Sequence, residues 1–328
     1  MAEQKNSKEE SGKAESTGSG PAKPKPPRFT VCTPLPDSST PVEVIEGLRE
    51  SLEKQSFQDF EWLPVGPGVD GPAGTRLKGP GGKTGFPVHP LKSKRSERAA
   101  LLNLGIKAAG GEFFLTLDPD SRPVPEALEK MLEYWEALPE RERDYFISVT
   151  GLAALKNGRV CGDTFPSSPF DSTSIETGAY YGVRGRKWGF VRTEALKLFP
   201  FPLFAGERFV PDQLVLNRMG MGALTRCVNE VFLIVEGDRE KDPLEDLKRR
   251  IGSPKGEALF YNEFSAMKVP MASRIRSCAN YVRFSLHAGM LPDDIFREAR
   301  KKIPTFFTVW PGLLMYRRDL KRIRRFAQ

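Results

Sequence analysis

Apolar and polar positions follow two rhythms along this chain, and the changes of rhythm mark its elements. FTVCTP, over Phe29–Pro34, is a short β-prone run, and LPDSSTP behind it is rich in turn residues. Val44, Ile45, Leu48 and Leu52 then recur at helical spacing, with Glu43, Glu46, Arg49 and Glu50 on the other side, which predicts a helix over 42–55. FEWLPV, over Phe60–Val65, is strand-like again. Strand, helix and strand in this order open a parallel sheet.

A second helical stretch over 98–109 runs into Phe113, Phe114, Leu115 and Leu117, a nearly continuous apolar run that fits a strand covered on both faces. Another helix begins near Pro125. Residues 145–150 are strand-like, and a polar, irregular stretch extends to Thr177. Leu214, Val215, Arg218 and Met219 form a short helical run, and 228–235 a further strand. Beyond Gly237 charged helical patterns take over. The expected organisation is therefore a tail over 1–28, an α/β domain over 29–237 and a helical C-terminal extension over 238–328.

Residues 66–90 are dense in Gly and Pro and read as a long loop that could line a ligand cleft. GGKT within it lacks the earlier Gly of a phosphate-binding P-loop, because Leu77 occupies that position. The first 28 residues carry almost no large apolar side chain, a composition that predicts a disordered tail.

The net charge of +8 changes this picture less than it first suggests. Six Lys or Arg against four Glu put +2 on residues 1–28, and six against Asp319 put +5 on 317–328, which leaves +1 for the body. A near-neutral body gives no basic groove for nucleic acid. Cys32, Cys161, Cys227 and Cys278 show no paired spacing, so neither a disulfide framework nor a zinc site is indicated. No apolar signal core and no long apolar span is present, and the expected location is cytoplasmic. His89 and His287 are the only histidines, which leaves little material for histidine-based metal or triad chemistry.

The chemistry gathers where the apolar strand of GEFFLTLDPDS ends in Asp118 and Asp120. Ligands bind beyond the carboxyl ends of strands in open α/β sheets, and two hard oxygen donors there suit a magnesium or manganese ion shared with substrate phosphates. Equally, the two aspartates can simply cap a turn. Asp212, just ahead of its helical run, can likewise serve chemistry or N-cap the helix. Trp188 and Phe190 suit a ligand-stacking wall less well than core packing.

Four segments together resemble family 2 glycosyltransferases of the GT-A fold. They are FTVCTPLPDSSTPVEVIEGLRESLEKQSFQDFEWLPV, RAALLNLGIKAAGGEFFLTLDPDS, KWGFVRTEALKLFPFPLFAGERFVPDQLVLNRM and NYVRFSLHAGM, spanning about residues 29–290. The resemblance implies a Rossmann-like, mostly parallel sheet flanked by helices, a nucleotide-diphosphate-sugar donor, a divalent metal and inversion at the anomeric carbon. It places Asp118 and Asp120 at the metal and donor, Asp212 as general base and Glu207 beside the base or acceptor. Pro34, Asp70 and Arg98 fall among its donor-binding positions. Three departures stand out, the first being Asp212 where the usual base is Glu, which keeps the carboxylate but shortens its reach. Val65-Gly66-Pro67-Gly68 replaces the usual paired aspartates after the second strand, with Asp70 as the only nearby acid, and DPDS carries Ser121 where a further acid is common. Surface polysaccharide or glycoconjugate assembly on a glycan or lipid-linked acceptor is the implied function. A catalytically impaired relative that binds a nucleotide or a partner is the alternative.

At the end of the chain, Leu313, Tyr316, Leu320 and Ile323 recur at helical spacing among Arg317, Arg318, Lys321, Arg322, Arg324 and Arg325. Such a basic amphipathic helix can lie peripherally on an anionic membrane or pack on the body with its basic face in water.

Overall fold

The computed structural model describes residues 25–79, 82–236 and 243–326. Most of the tail expected over 1–28, and the boundary placed at 237, lie outside the described residues. Strands β1 (Phe29–Pro34) and β2 (Phe60–Val65) pair in parallel, Val31 opposite Trp62, with helix α1 (Val42–Glu53) between them in sequence. Helix α2 (Arg98–Ala108) leads to β3 (Phe113–Thr116), parallel to β1 on its other side. Glu61, in the QDFEW stretch, is buried, and its Oε1 accepts from Thr30 Oγ1 at 2.6 Å and the Gly110 amide at 2.8 Å. That one carboxylate fastens β2 to β1 and to the turn that launches β3.

The remaining elements complete a mixed sheet. They are β4 (Ser121–Pro123), α3 (Ala127–Glu136), β5 (Phe146–Leu155), β6 (Phe170–Ser172), α4 (Ser174–Ala179), β7 (Lys187–Arg192), α5 (Thr193–Lys197), α6 (Asp212–Met219) and β8 (Leu224–Val235). The strand order is β2-β1-β3-β7-β5-β8-β4, with β6 paired to β8. Strands β2, β1, β3, β5 and β8 share one direction, and β7, β4 and β6 oppose it. The sheet is thus mostly parallel and covered on both faces. One core unites Ile45, Leu48, Leu128 and Met131 with the strands, and the other gathers Leu101, Leu102, Leu214 and Val215.

The aromatic centre of the first core fixes β7. Phe190 is fully buried, with its ring 4.1 Å from Phe113 and 5.7 Å from both Phe29 and Trp135 between centroids. This is core packing, and the ring is not offered to a ligand. Phe190→Ala should cost about 3–5 kcal/mol in chemical denaturation, as large-to-small changes in packed cores do.

Five helices follow: α7 (Pro243–Ile251), α8 (Pro254–Ala266), α9 (Met271–His287), α10 (Pro292–Glu298) and α11 (Lys302–Phe326). Arg218 of α6 meets Glu263 of α8 through Nε at 2.8 Å and Nη2 at 3.0 Å, which ties these helices to the α/β body. Helix α11 packs along α9 so closely that a Cβ on Gly312 would lie 2.6 Å from the Val282 Cβ. Asp319 is buried there, accepting from Arg283 Nη2 at 2.8 Å and lying 3.0 Å from His287 Nε2. Leu313, Tyr316, Leu320 and Ile323 are half-buried, and Tyr316 meets the His287 ring edge-on. The stripe picked out in the sequence is therefore largely the flank of a packing seam. No helix among the described residues is long and apolar enough to cross a membrane.

Candidate active site

The sheet topology delivers charged groups to one edge. Strand β7 lies antiparallel to β3 with Phe113 opposite Arg192 and Phe114 opposite Val191, so the residues just before β7 come to where β3 ends. Arg186 is the residue before β7, and Asp118 lies two residues past β3. Helix α2 starts at this edge with Arg98, and α6 starts with Asp212. Arg98, Asp118, Arg186 and Asp212 line a single cleft of about 630 Å³, whose other walls include Phe114, Ile147, Trp188 and Val215.

Arg98 is the hub of the cleft. Its Nη1 donates to both oxygens of Asp212, at 2.7 and 2.9 Å, and its Nη2 donates to Asp118 Oδ1 at 3.1 Å. Arg186 Nη2 donates to Asp118 Oδ2 at 2.9 Å and to Ser121 Oγ at 3.0 Å, while its Nη1 lies 3.9 Å from Asp120 Oδ1. Asp120 Oδ1 accepts from Ser121 Oγ at 3.0 Å. Two acids from segments 94 residues apart thus share one guanidinium.

The N-cap reading of Asp212 is not what the helix uses. Pro211 occupies the N-cap position without a side-chain cap, and the Asp212 carboxylate turns to Arg98 instead. Asp212 has its pKa raised above the ordinary value, first because the cleft walls displace part of the water that would solvate its charge, while 45% of the side chain stays exposed. Arg98 opposes that rise, Asp118 adds to it by like-charge repulsion, and Arg186 also pulls downward. Burial acts to lower the Arg98 pKa, but Asp212 and Asp118 outweigh it and hold the guanidinium above its usual range.

The other expected site residues are more scattered. Glu207 is buried and faces away from the cleft: its Oε1 accepts from the Lys255 amide at 2.7 Å and its Oε2 from the Gly256 amide at 2.9 Å. It satisfies the first turn of α8, a favourable place for a carboxylate. Asp70 is exposed and pairs with Lys92 at 2.6 Å outside the cleft. Pro34 is buried at the end of β1. Behind it the Gly66 and Gly68 backbone packs on Leu35, where a Cβ at Gly66 would lie 2.3 Å from the Leu35 carbonyl oxygen. With Gly66 at φ 135°, that close approach leaves no room for a side chain there. Trp188 donates its Nε1–H to the Thr116 carbonyl at 2.7 Å and lines the cleft.

Arg186 is the residue missed in the sequence. A cationic RGRK beside a strand is visible there, but only the antiparallel placement of β7 makes it face Asp118. For a divalent ion, Asp118 and Asp120 offer hard oxygens of the right type, yet both Asp118 oxygens accept from arginines. Among the described residues no group of three or more His, Cys, Asp and Glu is assembled to hold an ion. Asp118 and Asp120 are thus two hard oxygen donors of the type such an ion takes, and not a cage built by protein alone.

Comparison with known proteins agrees with this architecture. Residues 83–141 match the family described as "Glycosyl transferase family 2", a segment that includes α2, β3, Asp118 and Asp120. S. aureus TarS 1-349 in complex with UDP-GlcNAc is similar in structure, with a TM-score of 0.53 at 16% identity over 91% of this chain and 92% of that one. The mannosyltransferase PcManGT from Pyrobaculum calidifontis, in complex with GDP-Man and Mn2+, is similar with a TM-score of 0.51 at 16% identity, over 89% of this chain and 86% of that one. None of the curated proteins compared with the chain matches it.

Proposed function

We propose, for a chain that carries a family 2 glycosyltransferase domain on a GT-A fold, that it moves a sugar from a nucleotide-diphosphate donor to an acceptor hydroxyl with inversion. The observation that carries this is the Arg98 bridge, which joins the acid beyond β3 to the acid opening α6 inside one cleft. Asp212 takes the proton from the acceptor hydroxyl as that oxygen bonds to the anomeric carbon, and the carbon–oxygen bond to the diphosphate breaks on the opposite face. A carboxylate carries about four lone-pair sites, so Asp212 can accept from this hydroxyl while holding Arg98. Arg98 and Arg186 supply the cationic donors for the diphosphate. A magnesium or manganese ion between Asp118 and Asp120 would add neutralisation of the leaving group. Glu207 acts at one remove, by holding the start of α8 against the segment that leads to Asp212. The acceptor is a glycan or lipid-linked glycan of surface or glycoconjugate assembly, reached from the cytoplasmic side.

Purified protein given a panel of nucleotide sugars should release nucleotide diphosphate with at least one of them, faster with manganese. Asp120→Ala should remove the part of nucleotide-diphosphate affinity that manganese adds, as read by calorimetry, with the thermal transition unchanged. Release that is absent with every donor, alongside intact nucleotide binding, would favour the impaired binding module. Manganese-enhanced affinity that survives in Asp120→Ala would remove the metal assignment.

A further inference from the structure

Helix α11 exposes a row that its packing seam does not use. Thr305, Thr308, Gly312 and Asp319 face inward, whereas Ile303, Phe306, Phe307, Trp310 and Leu314 are 75%, 64%, 74%, 70% and 60% exposed. Their spacing of i, i+3, i+4, i+7 and i+11 puts all five on one outer face, about 16 Å long at the helical rise. Large apolar side chains so exposed and so contiguous mark an interaction surface, since single exposed residues are common but rows are not. The same face continues into Arg317, Lys321 and Arg325, with Arg318, Arg322 and Arg324 beside them, and Lys302 precedes the row. None of these residues lines the active-site cleft.

We infer that this outer face of α11 is a membrane-docking surface for an anionic lipid bilayer. The apolar row enters the boundary between headgroups and acyl chains, where tryptophan is favoured, and the basic half pairs with lipid phosphates through long side chains. Charge decides the occupant. Six cations require an anionic partner, and the same helix of a second copy has none to give, because its one acid, Asp319, is buried and held by Arg283 and His287. The docking stripe is thus distinct from the Leu313, Tyr316, Leu320 and Ile323 stripe, which flanks the seam with α9. This inference does not depend on the proposed reaction.

Full-length protein would be floated with vesicles of phosphatidylcholine, alone or mixed with phosphatidylglycerol. Binding should require phosphatidylglycerol and weaken as salt rises. Replacing both Phe307→Asp and Trp310→Asp should lower partitioning by on the order of tenfold or more, because charge on the apolar face opposes insertion. Replacing Arg317→Gln, Lys321→Gln and Arg325→Gln should remove the preference for phosphatidylglycerol. A second measurement needs no variant: Trp62, Trp135 and Trp188 are buried, so brominated lipid should quench Trp310 alone. Unquenched wild-type fluorescence, equal flotation by the aspartate variant, or equal binding to both vesicle types would overturn the inference. So would a wild-type dimer that the aspartate variant converts to monomer without any vesicle binding, which would assign the face to a second copy.

Discussion

Asp212→Asn should lower sugar transfer by a factor on the order of 10²–10⁴, the contribution typical of a positioned general base. Donor affinity should change little, because an amide keeps the size of the side chain and leaves Arg98 bonded to Asp118. The variant also separates chemistry from folding. Pro211, not Asp212, is the N-cap residue of α6, so no helix cap is lost with the charge. A variant that transfers normally would remove Asp212 from the reaction. One that loses transfer only in proportion to its folded fraction would make the residue structural.

The order of elements was legible wherever one period dominated a stretch of sequence. The rhythm of Val44, Ile45, Leu48 and Leu52 gave α1, and the run from Phe113 to Leu117 gave the buried strand that ends beside Asp118. Between 150 and 177 no period dominates, and there β6 and α4 went unread. Thr173 and Glu176 form the capping box that starts α4, a signal present in the sequence but isolated from any apolar run. Glu207 illustrates a different limit. A family position suggests chemistry for it, yet its partners are two backbone amides of a helix almost fifty residues later, which no local pattern reveals.

Arg186 and Arg98 mark the same limit within the site. The acids could be found because they end a strand and open a helix, and Arg98 from its family position, but that Arg98 bridges both acids shows only in the fold, and Arg186 meets Asp118 only because β7 lies antiparallel beside β3. Likewise, the sequence marks apolar positions on α11 without saying which face α9 covers. The seam is set by Gly312 and by the buried Asp319, small and charged residues that a search for apolar stripes passes over.

The largest electrostatic effect should follow Arg98→Met. It leaves Asp118 and Asp212 facing one another with Arg186 as the remaining nearby guanidinium, and unpairing enclosed charges destabilises proteins by about 3–5 kcal/mol. The Arg98, Asp118 and Asp212 side chains keep 24%, 29% and 45% of their exposure, so water screens the unpaired acids and a loss of about 1–2 kcal/mol near neutral pH is the fitting expectation. The pH dependence has a definite sign. Arg98 is what restrains the Asp212 pKa from rising further, so its removal moves the acid limb of transfer to higher pH. A carboxyl whose folded pKa lies above its unfolded value stabilises the fold at low pH, and that contribution is lost as pH rises through the folded pKa. The deficit of Arg98→Met should therefore shrink as pH falls through the Asp212 pKa, since a protonated Asp212 needs no counter-charge. Arg98→Lys, which keeps the charge without the bidentate fork, should fall between the two. Chemical denaturation of all three proteins across the acid range would test this, and a deficit that stays constant with pH would show that Asp212 is not the group Arg98 restrains.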